Sequence, residues 1–292
     1  MTEFAGVIAA AVTPHARRAD EPDIGATLEL IDFLCAAGVQ GIALLGSTGE
    51  FVNLKPDDRM RLVYLAVKRS RVPVLAGVSH ATLDGALALG REASAAGAAG
   101  LLLAPPFFFR YRPPEVGEFY LRFQAGMGHG APVYLYNIPA FTSEIALETA
   151  TQLLSTGRFA GIKDSGGSWD NFLALSHHKQ EHPFTLLVGQ DGIFARARAA
   201  SADGVVSGVA CAAPELLLEL DRAIARHDEA ETARLDVRLH EFLARMECFP
   251  TPVAIKAALE TRGIKTGPPA VPLARETQAA LNDFQEWFRG WL

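Results

Sequence analysis

The chain has 292 residues, of which 49% are hydrophobic and 21% charged, with a formal net charge of −6. That is enough apolar material for one large core, and it excludes a disordered chain. The acidic balance excludes the electrostatic footprint of a nucleic-acid or anionic-lipid binder, and no run of about 18 apolar residues offers a membrane span.

Three cysteines, Cys35, Cys211 and Cys248, have neither metal nor redox spacing, and their odd number argues against a disulfide framework. The N-terminal MTEFAGVIAAAVTPHARR puts its acid before the apolar run and its basic pair after it, the reverse of a secretory signal. The expectation is a cytoplasmic protein with no nucleic-acid or membrane partner.

In chain order, the first apolar run is VIAAAV at 7–12. PDIGATLELIDFLCAAG follows, a helix pattern with Pro22 early and Gly38 at its close. GIALL (41–45) leads to KPDDRMRLVYLAVKRS, which opens on proline and acids and ends on bases, as the helix dipole favours. PVLAGV (73–78) precedes TLDGALALGREASAAGAAG, whose alanines and glycines suit close packing. Further runs are GLLLA (100–104), VYLYN (133–137), FAGIK (159–163), FTLLV (184–188) and DGVVSG (203–208). After the eighth run, APELLLELDRAIARHDEAETARLDVRLHEFLARMECF, TPVAIKAALETRG and ARETQAALNDFQEWFRGWL read as helices.

The runs start about 20 to 34 residues apart, the length of one strand, one helix and two loops. Continuous rather than alternating apolar runs suit parallel strands covered on both faces. The fold class is therefore α/β, a (β/α)8 TIM barrel with a C-terminal helical extension. An open doubly wound sheet competes, but no Gly-x-Gly-x-x-Gly follows the first strand. The barrel core is expected over residues 1–214, with the eighth barrel helix and a helical appendix over 215–292 in the same structural unit.

Active sites of such barrels lie at the C-terminal ends of the strands. Those ends read GSTGE (46–50), PPFFF (105–109), YNIPAFT (136–142), Lys163, GQDG (189–192) and SGVACAAPE (207–215). Of six lysines, Lys163 ends a core strand, while Lys55, Lys68, Lys179, Lys256 and Lys265 fall on predicted helices or loops, where a solvated stem is the default. A period of two places Phe159, Gly161 and Lys163 on one face. If that face lines the interior, the amine stands above Gly161, whose missing side chain leaves room. Burial disfavours a charged amine and frees its lone pair to attack a carbonyl. The plainer reading is a lysine snorkelling at a strand end or paired with Asp164.

GSTGE offers backbone N–H groups and two hydroxyls to an anion, or is an ordinary strand-to-helix turn with a capping serine. Tyr136, at the end of the fifth strand, can shuttle a proton or simply pack. PPFFF reads as an apolar wall or a subunit contact. None of the eight histidines has metal-ligand spacing, so no metal site is expected. On one barrel face, an amine, a phenol and an anion-binding hydroxyl loop form the constellation that a Schiff-base lyase acting on a 2-keto acid needs.

With GSTGE, YNIP and GIKD in this order and spacing, the chain resembles the dihydrodipicolinate synthase/N-acetylneuraminate lyase family of class I aldolases, across essentially its whole length. PTPVAIKAALETRGIKTGPPAVPL is also similar to the family's helical tail. The resemblance implies a homotetramer that needs no metal or organic cofactor. It implies that Lys163 forms an imine with pyruvate or the pyruvyl part of the substrate, and that Tyr136 shuttles protons. Ser47 and Thr48 would bind the carboxylate, with Ser47 also in the hydroxyl relay and Gly49 in the same substrate-binding loop. The backbone carbonyl of Val206 would face the substrate.

The chain departs from the family's synthases in two places. Phe141 stands where they usually carry an arginine for a substrate carboxylate, and Phe107 and Phe108 stand where they usually carry tyrosines. Tyr111 is the nearby residue that could supply the missing hydroxyl. Both changes weaken the synthase reading and move the chain towards members acting on 2-keto-3-deoxy sugar acids or similar compounds, and the first reading is a pyruvate-dependent aldolase that cleaves such an acid. A 2-keto-3-deoxy acid dehydratase or hydratase, or a 4-hydroxy-tetrahydrodipicolinate synthase, would use the same lysine. A keto-acid-binding protein without turnover is a third reading, and the Lys163–Tyr136 pair speaks against it.

Overall fold

Eight short strands close into a parallel barrel in chain order: β1 Gly6–Ala10, β2 Gly41–Leu44, β3 Val74–Gly77, β4 Gly100–Leu103, β5 Val133–Asn137, β6 Gly161–Asp164, β7 Thr185–Val188 and β8 Gly204–Ser207. The computed structural model describes residues 4–18 and 20–292. Met1, Thr2 and the acidic Glu3 of the N-terminal segment lie outside the described residues, as does Ala19.

The strand side chains divide between two layers. Ile8, Ala43, Leu75, Leu102, Tyr134 and Leu187 fill the interior of the barrel. Val7, Ile42, Val74, Leu101, Val133 and Leu186 point outward against the helices. Both faces are buried, which is why the strands read as continuous apolar runs. Closure follows from the register, with Gly6 to Ala9 paired to Gly204 to Ser207.

Twelve α-helices stand among the described residues. In the outer ring are α1 Ile24–Ala37, α2 Pro56–Arg69, α3 Leu83–Ala96, α4 Pro113–Met127, α5 Leu147–Ser155, α6 Trp169–Glu181 and α7 Phe194–Ala199. The Asp23 side chain caps α1 by accepting from the Ala26 N–H at 3.0 Å, so Pro22 precedes the cap rather than opening the helix. Gly38 closes that helix at φ 90°, a left-handed conformation suited to glycine. Proline begins α2, Asp57 and Asp58 occupy its first turn, and Lys68 and Arg69 occupy its last.

After β8 come α8 Val209–Ala212, α9 Pro214–Ala225, α10 Glu229–Met246, α11 Val253–Thr261 and α12 Arg275–Trp291. The long pattern after residue 212 is therefore two helices, not one. The break is at His227, whose φ of 56° is left-handed, and Asp228 restarts the chain by capping the Glu231 N–H. Phe242 of α10 anchors α12, with ring centroids 5.9 Å from Phe284 and 5.6 Å from Phe288. All three rings are buried, and truncating one to alanine would cost about 3–5 kcal/mol. This packing holds α10 against the 191–193 turn that follows β7, and so over the mouth of the barrel.

The sixth strand also differs from its sequence pattern. Phe159 precedes the strand and packs outward, its ring centroid 6.0 Å from that of Tyr120 on α4. Gly161 and Lys163 keep the interior face, beside Tyr134 and Tyr136 of β5. Gly161 is bare because of its neighbouring strand rather than to make room for the amine: a Cβ there would stand 2.1 Å from the Thr185 carbonyl oxygen.

Candidate active site

The barrel's C-terminal end opens into a cleft of about 840 Å³. Ser47, Thr48, Tyr136, Phe141, Lys163 and Val206 all line it. Gly49 does not. Its N–H donates to the Gly46 carbonyl at 3.1 Å, its own carbonyl accepts from the Thr13 hydroxyl at 2.7 Å, and a Cβ would press on Leu45 and Ala11. Gly49 thus shapes the loop from behind.

Lys163 is 4% exposed, at the inner end of β6. Its Nζ lies 4.3 Å from the centroid of the Tyr136 ring, which stabilises a cation there. Asp164 is not its partner. The Asp164 carboxylate accepts from Asn137 Nδ2 at 2.8 Å and from the Gly166 N–H at 2.9 Å. Asn137 in turn accepts from the Ile145 N–H, and Ser165 N–H donates to the Asn137 carbonyl. The two strand ends are therefore clamped together, and the lysine is left facing the cleft.

Gly189, just after β7, leaves space for that lysine. A Cβ on it would stand 2.7 Å from Lys163 Cε and 2.0 Å from the Ser165 hydroxyl. Across the site, the Tyr136 hydroxyl is 3.0 Å from Ser47 Oγ, a contact in which either can donate. The N–H groups of Ser47 and Thr48 have no acceptor among the described residues. A phenol joined to a hydroxyl can pass a proton, and free N–H groups beside two hydroxyls can hold an anion.

Two further residues line the cleft, Asp191 of the GQDG strand end and Ser165, and neither stands out in the sequence. Asp191 lines the cleft, and its Oδ1 is closed to solvent without a hydrogen-bond partner among the described residues. Burial pushes its pKa up to about 6, against the pull of the nearby Ser207 hydroxyl, the Lys163 ammonium and the Val209 N–H. Ser165 Oγ is likewise buried and unpartnered. Leu243, Ala244 and Met246 of α10 form the outer wall, with His240 and Glu247 as its polar members.

The phenylalanine stretch lies at the rim. Phe108 is 88% exposed at φ 79°, a left-handed conformation that is strained for a bulky residue, and Phe109 is 65% exposed. Tyr111 does not line the cleft. Neither do the arginines beside it: Arg110 is bound to the carbonyls of Pro139 and Thr142, and Arg112 pairs with Glu115. Phe141, 58% exposed, therefore has no arginine near it in the cleft lining.

A closed parallel barrel whose C-terminal mouth gathers a buried lysine, a phenol and two hydroxyls has the framework of a barrel enzyme. The model of the dihydrodipicolinate synthetase family matches residues 3–286. A DapA-like lyase of Halobacterium salinarum is 34% identical over 275 residues, covering 92% of this chain and 88% of its own. A 4-hydroxy-tetrahydrodipicolinate synthase of Xanthomonas campestris pv. campestris is 34% identical over 287 residues, covering 96% and 93%. Among solved structures, the E. coli K12 prophage protein YagE, in complex with pyruvate, superposes with a TM-score of 0.89 at 28% identity, covering 99% of each chain. The chain belongs to the dihydrodipicolinate synthetase family and is a lyase of the class I aldolase type. Among the described residues, no helix is long and apolar enough to cross a membrane.

Proposed function

We propose that the protein is a pyruvate-dependent aldolase that cleaves a 2-keto-3-deoxy sugar acid to pyruvate and a hydroxylated aldehyde, with a covalent imine at Lys163 in place of any cofactor. The observation that carries this reading is the juxtaposition at the cleft floor. Lys163 Nζ lies 4.3 Å from the Tyr136 ring, and the hydroxyl of that ring is 3.0 Å from Ser47.

The Lys163 amine adds to the C2 carbonyl, and loss of water leaves an iminium. The substrate carboxylate rests on the hydroxyls and free N–H groups of Ser47 and Thr48. Tyr136, joined to Ser47, gives its proton to the departing water as the iminium forms, and the phenolate so made then takes the proton from the C4 hydroxyl. The C3–C4 bond then breaks, its electron pair flowing into the iminium to give an enamine while the aldehyde leaves. Protonation at C3 and addition of water release pyruvate and restore the amine. The Val206 backbone belongs to the floor of this site. Asp191 accepts hydrogen bonds from substrate hydroxyls, and it repels a second carboxylate.

Relatives named as synthases favour a second reading, the condensation of pyruvate with aspartate semialdehyde on the same lysine. A 2-keto-3-deoxy acid dehydratase or hydratase would also share the iminium. Phe141 weighs against the synthase, because it cannot form the charge-assisted bonds that a second carboxylate requires. The working unit in this reading is a homotetramer, closed over the Phe108–Phe109 rim.

The test begins by incubating the protein with pyruvate and borohydride, which reduces an iminium to a stable amine. A pyruvyl adduct at Lys163, by mass spectrometry, is the expected result. No adduct, or one at another lysine, sinks the mechanism. A panel of 2-keto-3-deoxy acids then separates the outcomes: pyruvate release marks the aldolase, and dehydrated product without pyruvate marks the dehydratase.

A further inference from the structure

Behind the hydroxyl loop lies a buried charged cluster that the proposed chemistry does not use. Lys256 of α11 is 5% exposed and forms an ion pair with Glu50, which is 8% exposed. The ring of His15, 2% exposed, brings Nδ1 to 3.2 Å from Lys256 Nζ and Nε2 to 3.6 Å from Glu50 Oε2. Lys256 is therefore not the solvated helix lysine that its sequence position implies.

Glu50 is also conformationally unusual. It is a non-glycine residue at φ 51° and ψ 35°, in the left-handed region, so something must hold it there. It belongs to the same turn as Ser47, since its N–H donates to the Ser47 carbonyl at 3.0 Å. Ser47 meets Tyr136. Two further contacts brace the turn and the cluster: Thr13 Oγ1 donates to the Gly49 carbonyl, and His15 N–H donates to the Thr266 carbonyl.

On α11, successive residues reach both sides of this loop. Ile255 lines the cleft, and Lys256 holds Glu50 from behind. Gly208 lets them approach: a Cβ there would stand 2.7 Å from Ile255 Cδ1 and 3.6 Å from Thr48 Oγ1. Burial, and then the Lys256 ammonium, hold the His15 pKa below its usual value, and its Nδ1 meets both the Lys256 amine and the Pro268 carbonyl at 3.2 Å. Glu260 is the remaining charged group felt by Lys256, and it is bonded to Thr266.

We propose that Lys256 is a positioning residue for the lyase: by pinning Glu50 in its left-handed turn, it sets Ser47 and Thr48 where they can meet Tyr136 and the substrate carboxylate. The C-terminal helices are then part of the active-site scaffold rather than an appended bundle. The inference rests on the proposed function for its kinetic consequence, but not for its geometry.

The test uses Lys256→Met and the double variant Glu50→Gln/Lys256→Met. Removing one partner leaves a buried unpaired charge, so the single variant also loses stability. Removing both charges relieves that penalty, so a merely structural role would be largely restored in the double variant. Two readouts are taken. In the free protein carrying tyrosine labelled with ¹³C at Cζ, the Tyr136 resonance, assigned with Tyr136→Phe, should shift in both variants and stay unmoved in Lys265→Met. In the borohydride reaction, the pyruvate concentration for half-maximal trapping at Lys163 should rise about tenfold or more in the double variant, with its thermal midpoint within a few degrees of wild type. An unmoved Tyr136 resonance in the folded double variant overturns the positioning role, whether or not the wild-type protein forms an imine. So does a half-maximal concentration within twofold of wild type. Failure of the wild type to trap pyruvate would overturn the proposed function, and a shifted resonance would still support the positioning of Ser47.

Discussion

The hydroxyl groups of Tyr136 and Ser47 lie 3.0 Å apart although 89 positions separate them in the chain. Tyr136 comes from barrel strand β5 and Ser47 from the loop after β2, so the contact joins two separate elements at the barrel mouth. In the proposed mechanism this is where the proton leaves the substrate. Tyr136→Phe keeps the ring beside Lys163 and deletes only the hydroxyl. Turnover should fall about 100-fold or more, the scale of a positioned acid–base group, while pyruvate trapping at Lys163 persists. Steady-state turnover within twofold of wild type would show that the phenol only packs.

Asp191 gives a prediction with a definite sign. Its pKa in the folded protein, raised to about 6, exceeds that of an ordinary carboxyl near 3.8. The folded state holds the proton more tightly, so the site costs no stability below the ordinary value. Stability is lost as pH rises through the raised one. Asp191→Asn removes that loss, and because the residue is partly exposed the gain should be about 1–2 kcal/mol above pH 7 and vanish near pH 4. Thermal midpoints of both proteins across this range check it. A gain of equal size at both ends would mean that the carboxylate's charge is not the cause. Cleavage of polyhydroxylated substrates should fall in the same variant, because a hydrogen-bond acceptor has been replaced.

Phe108 and Phe109 bear on assembly. A phenylalanine 88% exposed and held at a strained φ is poorly explained in a lone subunit, and with Phe109 it forms an apolar patch of the kind that marks an interface. The proposed homotetramer would cover it. Phe108→Asp should shift sedimentation to a smaller species at micromolar concentration. A wild-type protein that already sediments as a monomer would refute the assembly.

Much of the architecture could be read from the sequence, because parallel strands covered on both faces leave continuous apolar runs. Lys163 stood out for the converse reason, as a charge at the end of such a run. The buried state of Lys256 could not be read locally, because its partner His15 is 241 positions away and only barrel closure unites them. Asp191 was visible in GQDG, but nothing in four residues shows that α10 folds over the mouth and shuts off its Oδ1. The break at His227 did leave a signal, Asp228 followed three residues later by Glu231, a capping pattern inside an otherwise continuous helical period.

Phe141 bears on substrate choice. It lines the cleft rim at 58% exposure, and no arginine lines the cleft among the described residues. Among the described residues, the carboxylates that line the cleft are those of Asp191 and Glu247. A second carboxylate would meet repulsion there without a compensating partner, whereas neutral hydroxyls would find acceptors. Wild-type protein should therefore condense pyruvate with aspartate semialdehyde poorly and use neutral hydroxylated aldehydes better. Phe141→Arg supplies a planar fork that can hold a carboxylate through two bonds. Fully buried, such a pair would be worth several kcal/mol, but an exposed ion pair is worth about 1 kcal/mol or less. The semialdehyde's kcat/KM should accordingly rise about three- to tenfold in the variant, with little change for a neutral aldehyde. Steady-state rates with both aldehydes at fixed pyruvate check this. A wild-type kcat/KM for the semialdehyde of about 10⁴ M⁻¹s⁻¹ or more, the lower edge of ordinary enzyme efficiency, would overturn the aldolase reading in favour of the synthase.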